Sequence, residues 1–174
     1  MKNFLLLFVL VFAACKPVHK ASEASVNDSG NLVGQAYKSD FLKKPFSEWF
    51  TEEYNTYTPD TKVLKRLKPL VKNMYIKVAM GTWCSDSQRE VPRFYKILDA
   101  LGFDDSQIRL IAVNREKTTP NHETDAWGIE RVPTFIFYKN GKELNRIVEY
   151  PIESLEKDWL QIAQGKNYKH AYSD

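Results

Sequence analysis

The chain opens on a single lysine and then an unbroken apolar run, Phe4 to Ala14, that stops at Cys15. Eleven residues are too few to span a membrane, which takes about 20, and suit the core of an export signal. The stretch from Lys16 to Asn31 is small and polar with no apolar period, which predicts a flexible tether; with the residues around it the tether is expected over 15–36. From Tyr37 the pattern changes. Phe41, Leu42, Phe46, Trp49, Phe50 and Tyr54 recur at helical spacing through charged sequence, predicting helix over 37–60 broken or restarted at Pro45. Val63, Leu64, Leu67 and Leu70 then mark one side of a short helix over Thr61–Leu70, entered through Pro59-Asp60.

Two short runs without internal Gly or Pro, Tyr75 to Met80 and Gln107 to Val113, suit central strands. Between them Val91, Phe94, Tyr95, Ile97, Leu98 and Leu101 repeat with the period of a helix, and Gly102 ends it, so Ser85 to Leu101 is expected to be helical. Strand, helix, strand in so short a stretch predicts a right-handed crossover and a parallel pair. Thr134–Tyr138 and Glu143–Glu149 flank Asn140-Gly141, a strong hairpin signal. Leu155, Trp159, Leu160 and Ile162 close the domain at Glu153–Ala163, and the polar tail 166–174 is expected to fray. The sum is an α/β domain with a mixed sheet flanked by helices on both faces and a helical extension in front.

A length of 174 residues with 43% hydrophobic content allows one domain with its own core. The 25 basic and 22 acidic side chains are dispersed, so no nucleic-acid partner is expected. Two cysteines exclude a multi-disulfide scaffold. Phe12-Ala13-Ala14-Cys15 resembles the lipobox of bacterial lipoproteins, with two small residues before the cysteine and Phe12 where the family prefers Leu, Val or Ile. The resemblance implies that residues 1–14 are a signal peptide, that Cys15 is lipidated, and that the domain sits in the bacterial cell envelope facing the periplasm. An ordinary secretory signal is the alternative. Asn27-Asp28-Ser29 matches a glycosylation sequon by chance in such a protein.

With Cys15 lipidated, Cys84 is the free thiol of the mature chain. It lies between a strand with a Gly-Thr-Trp turn and the helix from Ser85. A thiol at a helix N-terminus faces free backbone N–H groups and the positive end of the helix dipole, which stabilise a thiolate. Its neighbours Ser85, Asp86 and Ser87 are polar, which argues against a buried structural cysteine. Asp86 opposes a second negative charge beside it. His19, His122 and His170 have no metal-ligand spacing, so neither metal nor cofactor is expected, and His122 reads as a solvated loop residue. Trp49, Trp127 and Trp159 read as core.

At Gly81-Thr82-Trp83-Cys84-Ser85-Asp86-Ser87 the sequence resembles the thioredoxin superfamily, which has Trp-Cys-x-x-Cys there. Pro92 in the helix, Val132-Pro133-Thr134 where the family has its cis-proline, and the Asn140-Gly141 hairpin follow in family order over about 62–165. The resemblance implies the thioredoxin fold, Cys84 as nucleophile, Trp83 packed beside it, Pro133 cis and opposite Cys84, and the Val132 backbone offered to a substrate peptide. Two departures stand out. Ser87 replaces the resolving cysteine, and Val78 stands where many relatives carry a buried acid. A serine hydroxyl cannot release a mixed disulfide, although Ser87 is placed to hydrogen-bond the Cys84 thiolate.

Two functions follow from this reading. One is a lipid-anchored monothiol oxidoreductase or isomerase acting on extracytoplasmic proteins with thiols or disulfides, or on a low-molecular-weight thiol. The other is a binding or scaffold module that kept the fold and lost turnover. A monomer is expected in either case.

Overall fold

The computed structural model describes residues 22–173. The signal-peptide reading of 1–14 and the lipidation of Cys15 lie outside the described residues. In chain order the elements are β1 (Ser25–Val26), β2 (Leu32–Ala36), α1 (Lys38–Phe41), α2 (Ser47–Thr56), α3 (Thr61–Leu67), β3 (Met74–Met80), α4 (Ser85–Leu101), β4 (Ile108–Ala112), β5 (Thr134–Lys139), β6 (Lys142–Val148) and α5 (Leu155–Ala163). The strands form one sheet in the order β1-β2-β4-β3-β5-β6.

Strand β3 is central, parallel to β4 on one side and antiparallel to β5 on the other. The β3–α4–β4 crossover, the antiparallel β5–β6 hairpin and the closing α5 make the thioredoxin fold. The hairpin turns at Asn140 and Gly141, both with positive φ (52° and 77°), as a tight turn matched to strand twist requires. Helix α4 ends at Gly102 (φ 66°), where Phe103 N donates to Leu98 O at 3.0 Å, satisfying a carbonyl that the last turn leaves open.

Alternation along β3 separates two cores. Ile76, Val78 and Met80 face the larger one, to which all five α-helices contribute their buried apolar residues. Its centre is Trp159, fully buried, with Phe137 at 5.3 Å, Phe94 at 5.4 Å and Phe103 at 5.8 Å between ring centroids. The extension ahead of β3 packs here too: Phe41 stacks on Phe50 at 5.7 Å, and Phe50 meets Tyr95 of α4 at 5.9 Å. Ala79, Ile111 and Ile136 face the other side, where the cover is a 3-10 turn, Asp125–Trp127, instead of an α-helix.

Two segments differ from the sequence reading. The tether expected over 15–36 does not hold for residues 22–36: Gly34, Gln35 and Ala36 pair with Ala112, Ile111 and Leu110 of β4, and β1 folds back onto β2. The turn between them is Asn27-Asp28-Ser29-Gly30, where the Asn27 side-chain oxygen accepts from Ser29 N and Asn31 N and Gly30 takes φ 76°. The sequon-like triplet is therefore turn chemistry that folds the exposed edge strand β1 back onto the apolar β2. The tail is not frayed at Tyr168, which is 5% exposed; its hydroxyl donates to buried Asp158 at 2.9 Å and its carbonyl accepts from Asn145 Nδ2 at 2.9 Å. The burial of one aromatic ring and two hydrogen bonds outweigh the polarity of its neighbours.

Candidate functional site

The site forms where the end of β3 hands over to α4. Cys84 is the N-cap residue of α4 (φ −100°, ψ 124°); its carbonyl accepts from Gln88 N at 2.9 Å and its N–H donates to Gly81 O at 3.0 Å. The antiparallel register Ala79 to Thr134 carries the preceding Val132-Pro133 loop alongside this turn. The Val132–Pro133 bond is cis, and the Cys84 thiol donates to Val132 O at 3.2 Å. The half-buried sulfur thus faces a backbone carbonyl 48 residues away along the chain.

Trp83 lies against the second core, and its Nε1 donates to Val113 O at 2.9 Å. A Cβ on Gly81 would stand 2.5 Å from the Trp83 ring, so only glycine lets the indole lie across the turn. Thr82 is buried, with Oγ1 accepting from Leu32 N at 3.1 Å and its carbonyl accepting from Gln88 Nε2 at 2.7 Å. Strand β2, absent from the sequence reading and paired between β1 and β4, therefore holds the reactive turn through Leu32 N.

Ser87 is fully buried, and its Oγ accepts from Gly81 N at 3.2 Å. The expected hydrogen bond from Ser87 to Cys84 is not formed: one turn into α4 the side chain points at the turn's backbone, and the thiol bonds to Val132 O instead. The charge of Asp86 beside Cys84 is countered by Arg89, whose Nη2 lies 2.7 Å from Asp86 Oδ1 while Nε lies 2.7 Å from Glu90 Oε1. Burial pushes the Glu90 carboxyl up from its ordinary value of 4.5, with Arg89 opposing the shift. Val78 is buried at 1% exposure, so β3 brings no acid to the site from that position.

Sequence reasoning missed three residues. Thr82 is one. Arg115 lies with its guanidinium 5.2 Å from the Trp83 ring centroid, and Arg131, next to Val132, lies 4.0 Å from the Tyr172 ring. Neither arginine has a motif to mark it; each sits in polar loop sequence. His122 is exposed and paired with Asp125 at 3.0 Å. Among the described residues no group of three His, Cys, Asp or Glu side chains is placed to hold a metal. Trp127 and Trp159 are buried, and Trp49 packs against the Phe41 and Phe46 rings.

No protein-family model matches the chain. Among curated proteins it is similar to the chloroplastic Thioredoxin Y of Oryza sativa subsp. japonica, 33% identical over 82 residues. The match covers 47% of this chain and 43% of that protein, so it spans less than half the relative's length. Among solved structures it is similar to a Pseudomonas aeruginosa protein of unknown function, with TM-score 0.54 and 16% identity over 76% of this chain and 93% of the other. Mitochondrial thioredoxin 3 from Saccharomyces cerevisiae, in its oxidized form, aligns with TM-score 0.34 and 20% identity over 55% of this chain and 86% of that one. Over those 82 residues the chain is similar in sequence to a thioredoxin.

Proposed function

We propose that this protein is a monothiol thiol-disulfide oxidoreductase or isomerase of the bacterial cell envelope, tethered by lipid on Cys15 with its domain facing the periplasm. The observation that carries the reading is Cys84 Sγ, at the start of α4, lying 3.2 Å from Val132 O in the cis Val132-Pro133 loop. In the first step the Cys84 thiolate attacks one sulfur of a substrate disulfide. A new S–S bond joins Cys84 to the substrate, and the second sulfur leaves as a thiolate that takes a proton from water. An outside thiolate, either a second cysteine of the same substrate or a small thiol, then attacks the mixed disulfide and restores Cys84. Return by the substrate's own cysteine is isomerisation, and no net electrons are consumed. Ser87 fixes the turn through Gly81 N and takes no part in the exchange. Substrate backbone pairs beside Val132 and Pro133, with Trp83 forming the adjoining wall.

The test is refolding of a scrambled disulfide protein with added small thiol, together with trapping of covalent adducts. The wild type is expected to form the adduct and speed native pairing, and Cys84→Ser to do neither. Equal rates for both would overturn the reading. The burial of Ser87 and the absence of an acid at Val78 favour a second reading, a binding module without turnover. That module would keep its partners in Cys84→Ser and lose them on substitution of Val132 or Pro133. Fatty-acid labelling of the full chain, lost in Cys15→Ala, tests the anchor.

A further inference from the structure

Two arginines next to residues that surround Cys84 have guanidinium groups lying over aromatic rings, Arg115 over Trp83 and Arg131 over Tyr172. Arg115 is exposed, follows Val113 by two residues, and lies over Trp83, whose Nε1 is fixed to Val113 O. Among the described residues no carboxylate lies within ion-pair distance of Arg115. Arg131 immediately precedes the Val132 carbonyl that faces the sulfur, and its Nη1 is 3.8 Å from Glu149 Oε2, at the long end of ion pairing. The same Glu149 oxygen also accepts from the Tyr172 hydroxyl, so the carboxylate is shared between Tyr172 and a long contact to Arg131. Asp86, the acid nearest Cys84 in the chain, is tied to Arg89. Arg115, with no carboxylate partner among the described residues, and Arg131, with only a long one, thus lie one residue removed from the sulfur's surroundings, through Trp83 and Val132 respectively. Planar guanidinium resting on an aromatic ring keeps its edge N–H groups turned outward for a carboxylate.

We propose that Arg115 and Arg131 select substrates with carboxylates beside the reacting sulfur. This rests on the exchange reading above and names the substrate class of the same site. The chemistry is shared by two sources, a polypeptide with Asp or Glu flanking its cysteine and a small disulfide bearing carboxylates. The electron and proton balance of the exchange is unchanged; the arginines act on association with the disulfide.

The experiment measures second-order rates of Cys84 adduct formation by the full chain in detergent with two probe pairs. One pair is a peptide disulfide with Glu on both sides of the cysteine and its Gln counterpart. The other is dithiobis(nitrobenzoate) and neutral dithiodipyridine, each normalised to its rate with mercaptoethanol. At low ionic strength the acidic member is expected to react about 5-fold faster, the effect of two exposed ion pairs, and high salt should bring the ratio towards one. The ratio is expected to collapse in the double variant Arg115→Gln, Arg131→Gln and to survive in Arg115→Lys, Arg131→Lys. A preference in the peptide pair assigns the site to polypeptides, in the small pair to small disulfides, and in both to either source. Equal rates within both pairs, with adducts forming normally, would overturn this inference and leave the exchange reading standing. Failure of every probe to form a Cys84 adduct would instead overturn the exchange reading and this inference with it.

Discussion

Gly81→Ala tests whether the turn before Cys84 is built around the Trp83 indole. The added Cβ would meet Trp83 Cε2 at 2.5 Å, Nε1 at 2.6 Å and Cζ2 at 2.8 Å. An ordinary carbon contact lies near 3.5 Å, so the ring has to move by about 1 Å. It is held by its Nε1 bond to Val113 O at 2.9 Å and by packing on the second core. Overpacking of this kind costs about 1–3 kcal/mol, and loosening the indole hydrogen bond adds about 1 kcal/mol. The expected loss is about 2–4 kcal/mol, read from urea denaturation of wild type and variant. The clash needs the indole, so Gly81→Ala should cost far less in a Trp83→Ala background, a coupling of about 2 kcal/mol for residues in contact. Adduct formation at Cys84 should also slow in the single variant, because Cys84 N is bonded to Gly81 O. Equal costs of Gly81→Ala in both backgrounds would refute the argument that the glycine is there for Trp83.

Trp159→Ala should cost about 3–5 kcal/mol by denaturation, the loss for a buried aromatic side chain, because Trp159 packs against Phe94, Phe103 and Phe137; a loss under about 1 kcal/mol would deny it the centre of the core. Tyr168→Phe should cost about 1.5–3 kcal/mol, the range for a hydrogen bond to a charged group, since it removes a donor to Asp158 while Ile152 N and Glu153 N remain. Unchanged stability would return the tail to the frayed state expected from sequence. Glu90 is raised by burial, so the folded protein holds its proton more tightly than the unfolded chain does, and its contribution to stability falls as pH rises from 4.5 through the raised value. Stability of Glu90→Gln relative to wild type should therefore increase between pH 4 and pH 7 by denaturation, and a change of opposite sign would mean that Arg89 outweighs burial.

What could be read from the chain by itself was what depends on neighbours. Apolar period marked β3, α4, β5 and α5, and Asn140-Gly141 marked the hairpin, because helix and strand repeats and a tight turn are properties of a few consecutive residues. The position of Cys84 at a strand end and helix start followed from the same local pattern, and the family resemblance, not the period, put Pro133 opposite it. The rest was decided by pairings across long stretches of chain. Leu32–Ala36 is too short and too close to polar sequence to announce a strand, and becomes one because the open edge of β4 supplies hydrogen-bond partners at Leu110, Ile111 and Ala112. Ser87 looked suited to Cys84 by spacing alone, but the direction of its side chain from α4 gives its oxygen to Gly81 N. Arg115 and Arg131 acquire meaning from the rings beneath them, and Tyr168 from Asp158. Local pattern determines which segments bury a face; register and the direction of single side chains, set when the sheet closes, determine which groups meet at the sulfur.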